Sequence, residues 1–312
     1  MINNLSHRLV KALMLMCWLS CSFVSAQQKL PPRLKAIRPM PIIQSIPEYH
    51  SIGQPILFSV KLPASFKRTL PNIIDGAQNL RAFFDKLRDK QQPIRIVHIG
   101  DSHVRGYAFP LTIRHHFERD FGHEATYPDT ITYTTPVGLA RETGLPGVVY
   151  HAIGINGATC SNFANVLQVQ EIANLKPDLL ILSFGTNESG RGFQSAAHQQ
   201  RLAHFISMLQ NSCPGVNILF TTPPGSYLRR SKRVNPYTAL VAKSINDFAQ
   251  SNDMATWNLY RIMGGNQQAC NNWSAGAYMR PDHIHYTVEG YQLQGNLLYE
   301  ALIKAYNDYV AN

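Results

Sequence analysis

The sequence has few cysteines, and beyond its first residues it has no long hydrophobic run. Five cysteines in 312 residues are too few for the disulfide framework that holds many small secreted proteins together. Three of them, Cys160, Cys213 and Cys270, lie beyond the first 26 residues, and their spacing does not indicate which two could pair. No later stretch approaches the roughly 20 apolar residues of a membrane span, so we expect no transmembrane segment.

Phosphate-binding, nucleic-acid-binding and metal-binding motifs are also missing. There is no Gly-rich phosphate loop and no compact Lys/Arg patch with interleaved aromatic residues, so we expect no nucleic-acid partner. Several potential metal ligands lie close together in the sequence: His98, Asp101, His103, His115 and His116. However, His98 belongs to a strand pattern, and two of the others are adjacent rather than on one helical face. We therefore expect neither a metal nor a cofactor.

The first 26 residues have the pattern of a secretory signal peptide. Arg8 and Lys11 precede an apolar run over residues 12–24, and the stretch closes on the small-x-small sequence Val24-Ser25-Ala26. Cys17 and Cys21 raise the alternative of a lipid anchor, but neither has the residues that usually precede a lipidated cysteine. The sequence thus predicts an exported protein, periplasmic or secreted, with lipoprotein anchoring the less favoured alternative.

Basic residues outnumber acidic ones, 29 to 19. Removal of residues 1–26 would leave 27 basic and 19 acidic residues, a net charge of +8, which favours anionic surfaces or substrates. The run from Arg229 to Arg233 follows a predicted strand, where loops border the site in α/β proteins. Arg229 and Arg230 are therefore candidate substrate contacts; the alternative is a solvated loop that aids solubility.

Proline content and hydrophobic periodicity divide the remaining chain into an arm and a domain. Residues 27–70 are Pro-rich and predict an extended arm, within which Ile56–Leu62 alternates enough for one edge strand. Residues 71–312 predict one α/β domain that opens with a helix over Asn72–Lys90.

Within this domain, apolar strands alternate with amphipathic helices. The predicted strands are Ile94–Gly100, Val148–Ile153, Leu179–Ser183, Val216–Thr221 and Ala255–Leu259. The predicted helices between and after them are Val104–Phe121, Cys160–Leu175, Ala196–Asn211, Pro236–Gln250 and Val288–Val310. This alternation predicts a parallel sheet with helices on both faces and a site at the carboxyl ends of its strands.

The first predicted strand runs directly into Gly100-Asp101-Ser102, where the next helix begins. A serine at this position can project its hydroxyl from the sheet edge while its backbone N–H faces an incoming anion. Asp and Ser are also common in turns and helix caps, so this motif alone does not identify a nucleophile.

Two further strands end in candidate hydrogen-bond donors, and a candidate base precedes the last helix. Gly157 and Asn187 could donate N–H groups to a developing oxyanion, although each alone is typical of turns. In Asp282-His283-Ile284-His285, an imidazole could activate Ser102 while the carboxylate fixes its tautomer. His283 is the alternative imidazole.

In this order, the motifs Gly100-Asp101-Ser102, Gly157, Gly185-x-Asn187 and Asp282-x-x-His285 resemble the four blocks of the SGNH (GDSL-type) hydrolase family over residues 94–305. The resemblance implies a flavodoxin-like three-layer α/β/α sandwich with a central parallel sheet. It also implies catalysis by Ser102, His285 and Asp282, with an oxyanion hole formed by Ser102, Gly157 and Asn187. His103 and Glu188 depart from the residues usual in the family, Leu and Asp.

The segment that contains Trp273 and Asp282–Thr287 also resembles exported bacterial members that act on acylated glycans. We therefore expect an exported serine esterase that removes short acyl groups, most simply acetyl, from a polysaccharide or peptidoglycan. Trp273 and Tyr278 are candidate sugar-stacking residues, or else core residues. The alternatives are a lipid-directed esterase or lysophospholipase, and a catalytically silent glycan-binding module. The sequence does not predict the oligomeric state.

Overall fold

A six-stranded sheet forms the centre of the structure, a computed structural model that describes residues 55–128, 137–228 and 233–312. The strands are β1 (Pro93–Gly100), β2 (Val137–Gly138), β3 (Gly147–Gly154), β4 (Leu179–Ser183), β5 (Asn217–Thr221) and β6 (Ala255–Trp257). Their order is β2-β3-β1-β4-β5-β6; β2 is antiparallel to β3, and the other five strands are parallel. The predicted central parallel sheet is confirmed, with β1 near its middle.

Helices connect these strands. After a short 3₁₀ turn (Ala77–Leu80), the helices are α1 (Arg81–Asp89), α2 (Ser102–Arg105), α3 (Ala108–Phe121), α4 (Cys160–Phe163), α5 (Val166–Asn174), α6 (Ser195–Ser212), α7 (Pro236–Ser251), α8 (Leu259–Ile262), α9 (Asn266–Ala275) and α10 (Val288–Ala311). Two predicted helices are each divided into a short and a longer helix. Tyr107, at a φ of 65°, separates α2 from α3, and Asn165 caps a new helix, α5, by accepting the Gln168 N–H.

The core lies in two apolar layers, one on each face of the sheet. Along β1, Ile94 and Ile96 pack into the layer shared with α1, α3 and α10. Val97 and Ile99 pack into the opposite layer, with α5, α6 and α7. Because both faces of β1 are covered, six of its eight residues are buried. This arrangement is the predicted three-layer α/β/α sandwich.

The segment predicted as an edge strand, Ile56–Leu62, is not a strand. Its backbone bonds to side chains of α10: Ile56 exchanges hydrogen bonds with the Asn307 amide, and the Val60 N–H donates to Glu300 Oε1 at 2.9 Å. Alternate apolar side chains of this segment pack against the core that α10 helps to form: Ile56, Phe58, Val60 and Leu62. Leu57, between them, is exposed. The alternating pattern therefore reflects packing of an extended segment on a helix, and the strand prediction is wrong.

Several predictions fall outside the described residues. The predicted signal peptide, residues 1–26, most of the predicted arm, and both Arg229 and Arg230 lie there, and they stay predictions. Within the described ranges, no helix is both long enough and apolar enough to cross a membrane.

Candidate active site

Ser102 lies where the central strand β1 becomes α2. It is the first residue of that helix, so its backbone N–H has no partner within the helix. Asp101 is the N-cap and accepts the His103 N–H at 2.8 Å. The helix packs so closely on the end of β3 that a Cβ on Gly154 would lie 2.2 Å from the Arg105 nitrogen. This packing fixes the position of Ser102 at the carboxyl edge of the sheet.

A continuous chain of hydrogen bonds joins the three predicted catalytic residues. Ser102 Oγ lies 2.8 Å from His285 Nε2. On the other side of the ring, His285 Nδ1 lies 2.7 Å from Asp282 Oδ2. The imidazole is therefore in position to take the serine proton, and the carboxylate is in position to fix the tautomer in which Nδ1 carries hydrogen.

The loop before α10 holds Asp282 and His285 in this geometry. Asp282 Oδ1 accepts the N–H groups of Ile284 and His285, each at 2.9 Å. Partial burial of the Asp282 carboxyl disfavours its charge, but the Ile284 N–H and the contacts with His285 outweigh this and lower its pKa to about 2. The carboxylate is therefore ionised throughout the neutral range.

His283, the alternative imidazole, is directed elsewhere. It has a φ of 56°, and its ring packs edge-on against Tyr227 at 5.4 Å between centroids. Its carbonyl accepts the Tyr227 N–H at 3.0 Å. His285 is thus the imidazole of this pair that contacts Ser102.

The predicted oxyanion donors lie on the loops that follow β3 and β4. Gly157 has a φ of 74°, a left-handed conformation that favours glycine, and a Cβ there would have no atom within 4 Å. Asn187 Nδ2 donates to the Ala158 carbonyl at 2.9 Å and contacts Asp101 Oδ2 at the longer distance of 3.3 Å. The Asn187 amide thus connects the Gly157 loop to Asp101, the residue before Ser102. The contact with Asp101 is the longer and weaker of the two, so a substrate oxygen would replace it more easily than the contact with Ala158.

Sequence reasoning missed the buried polar groups beneath this site. Asp101 is only 1% exposed, and burial is the main reason that its pKa is raised to about 8. The His98 ring lies between the Tyr150 and Ser183 hydroxyls at 2.8 and 2.7 Å. The sequence did contain one indication of these buried polar groups, namely a polar residue inside an apolar strand, such as His98 in β1.

Replacement of Asp101 by Asn is expected to change how stability depends on pH. The pKa of the Asp101 carboxyl rises from 3.8 to about 8 on folding, so the folded state binds more protons between these values. The contribution of this group to the free energy of unfolding therefore falls as pH rises from about 4 to about 8. Urea unfolding of both proteins across this range should show a steeper decline for the wild type; parallel curves would contradict the expectation.

The prediction that Trp273 contacts a sugar is wrong. Trp273 is fully buried, its indole N–H donates to the Pro224 carbonyl at 3.2 Å, and its ring packs against Phe66 and Tyr286. Tyr278 is half-buried, and its ring packs edge-on against Phe66 and Trp273. Both aromatic residues therefore pack beneath the loop that precedes α10. This agrees with the alternative that they are core residues.

Comparisons with known proteins found similar solved structures. A structure of a peptidoglycan O-acetylesterase superposes with a TM-score of 0.61 at 16% sequence identity, over 78% of this chain and 100% of that chain. A catalytic mutant of an acetylxylan esterase from Geobacillus stearothermophilus gives a TM-score of 0.44 at 14% identity, over 67% of this chain and 94% of that chain. The comparison with curated proteins gave no match.

The sequence model of the GDSL-like lipase/acylhydrolase family matches residues 98–293. This span is more than half of the chain and includes every residue of the hydrogen-bonded chain from Ser102 to Asp282. The protein therefore belongs to the GDSL-like lipase/acylhydrolase family and is an SGNH-type hydrolase of carboxylic esters.

Proposed function

We propose that this chain is an exported serine esterase that removes short acyl groups, most simply acetyl, from a polysaccharide or peptidoglycan. The observation that carries the proposal is the unbroken chain from Ser102 Oγ through His285 to Asp282, with contacts of 2.8 and 2.7 Å. A hydroxyl, an imidazole and a carboxylate in this order supply a nucleophile, a general base and an orienting charge.

The reaction proceeds in two displacements. His285 Nε2 accepts the Ser102 proton as Oγ attacks the ester carbonyl, and the N–H groups of Ser102, Gly157 and Asn187 stabilise the resulting oxyanion. The imidazolium gives its proton to the leaving sugar oxygen, which leaves an acyl-serine. Water, deprotonated by His285, then attacks the acyl-serine, releases the acid and restores the Ser102 hydroxyl.

The exposure of the site suits an ester that is carried on a polymer. His285 and Asp282 are 31% and 46% exposed, so an ester on the surface of a large polymer can approach the nucleophile.

The glycan assignment is argued from charge, predicted export and fold. It rests on the predicted export, on the basic excess, and on likeness in fold to a peptidoglycan O-acetylesterase. A positively charged protein is attracted to anionic cell-wall polymers. Arg229 and Arg230 stay candidates for this contact.

A substrate screen tests the proposal. Purified protein is offered acetylated peptidoglycan, acetylated xylan, a lysophospholipid, and aryl esters of increasing acyl length, with Ser102→Ala as the blank. We expect acetate release from at least one glycan and a kcat/KM on aryl esters that falls steeply beyond short acyl groups. Highest kcat/KM on long acyl chains or the lysophospholipid would support a lipid-directed esterase, and binding to glycans without hydrolysis would support a silent module.

A further inference from the structure

Among the described residues, one group of three side chains has the chemistry of a metal site: Cys160, Glu188 and His198. One ligand atom from each residue lies within 4.8 Å of the other two. We propose that these residues bind a divalent transition-metal ion of the zinc type, behind the loops that carry the predicted oxyanion donors. A thiolate, an imidazole and a carboxylate are the three ligand types that zinc takes from proteins.

His198 supplies the clearest sign of a ligand. Its side chain is fully buried, and its Nε2 atom has no hydrogen-bond partner. The other ring nitrogen, Nδ1, lies 3.0 Å from the Ser244 hydroxyl, a bond that fixes the ring as outer-shell partners fix metal-binding histidines. An unpaired buried imidazole nitrogen costs free energy, and coordination of a metal would recover it.

Cys160 and Glu188 complete the group from two other elements. The Cys160 thiol is free and buried, and burial raises its pKa to about 12. The two Glu188 carboxylate oxygens accept the N–H groups of Cys160 and Gly185, each at 2.9 Å. These bonds direct the carboxylate toward the thiol instead of into solvent.

Binding requires a small contraction and the loss of one proton. Zinc bonds of about 2.0 to 2.3 Å place tetrahedral ligands roughly 3.5 Å apart. Because the three ligand atoms lie within 4.8 Å of one another, each pair must close by no more than about 1.3 Å. The metal displaces the thiol proton to solvent, sulfur forms the bond, and neutral His198 binds through Nε2. Arg201, which is exposed, adds a nearby positive charge that solvent screens.

The location gives the site a structural role. Cys160 follows Gly157 by three residues, and Glu188 directly follows Asn187. His198 lies on α6, so a metal would join both donor loops to a long helix. The proposal does not depend on the identity of the ester substrate.

Metal analysis of the full-length chain tests the site. The protein is incubated with Zn²⁺, dialysed, and its zinc content is measured for wild type, Cys160→Ser and His198→Gln. Two matched controls are Cys213→Ser, another buried thiol, and His204→Gln, an exposed histidine of the same helix. We expect one retained zinc per wild-type or control chain, and at least a tenfold lower retained fraction in both site variants.

Cobalt provides a second readout, and its wild-type spectrum does not depend on how the variants fold. Co²⁺ bound to the wild type should give a thiolate-to-cobalt charge-transfer band, which Cys213→Ser keeps and Cys160→Ser loses. A folded wild-type protein that retains no zinc and shows no such band contradicts the proposal. So does zinc retained by both site variants, or lost equally from the controls.

Discussion

Ser102→Ala is expected to abolish ester hydrolysis and leave the fold intact. The substitution removes the atom that lies 2.8 Å from His285 Nε2 and that would form the acyl bond. Because residues of such a triad act as a unit, kcat/KM should fall by several orders of magnitude. The backbone of α2 should not change, since its cap is the Asp101 side chain. Initial rates on an aryl acetate, together with thermal unfolding, measure both effects.

Substitutions of the other two residues give a graded comparison. His285→Ala removes the proton acceptor and should approach the loss caused by Ser102→Ala. Asp282→Asn keeps the imidazole and weakens only its orientation and charge, so we expect a smaller loss. An active Ser102→Ala protein, or a larger loss from Asp282→Asn than from His285→Ala, would contradict the proposed roles.

Gly154→Ala is expected to destabilise the protein and disturb the site together. A Cβ at this position would lie 2.2, 2.6 and 2.8 Å from the N, Cα and Cβ atoms of Arg105, and backbone atoms cannot rotate away as a side chain can. Either β3 or α2 must shift, and overpacking that forces backbone shifts costs about 1 to 3 kcal/mol, occasionally more. Urea unfolding should show the loss of stability, and kcat/KM should fall because α2 begins with Ser102.

Gly190→Ala is the matched control. A Cβ there would meet no atom within 4 Å, and Gly190 has no left-handed φ. We expect its unfolding free energy to stay within about 0.5 kcal/mol of the wild type. Equal stability of the two variants would show that the close approach of α2 to β3 can relax without cost.

Periodicity predicts the bounds of an element well when the element is buried along its whole length. β4 has the predicted bounds, Leu179–Ser183, because all five residues are buried and the run contains no competing signal. The break at Tyr107 was not predictable, since a bulky residue rarely adopts a φ of 65°. β2, two residues long, and α9, rich in Asn and Gln, carry too little apolar pattern to be recognised.

The candidate site also contains some features that the sequence predicts and others that it does not. The spacing of Asp282 and His285 placed both residues in one loop, and the structure brings that loop to Ser102. The contact between Asn187 and Asp101 joins residues 86 positions apart, and no local sequence pattern predicts it. The burial of Trp273 depends on how α9 packs against the loop before α10. The residue type alone therefore could not show whether Trp273 is a core or a surface residue.

The contact between Ser102 and His285 spans 183 positions of the chain. Proteins are synthesised from the amino terminus, and contacts of such sequence separation form late because a long loop must close first. A growing chain therefore carries its serine long before it carries the imidazole that we propose activates it. Hydrolytic competence would be among the last properties the molecule acquires, and a chain truncated before residue 282 would fold, if at all, as an inert protein.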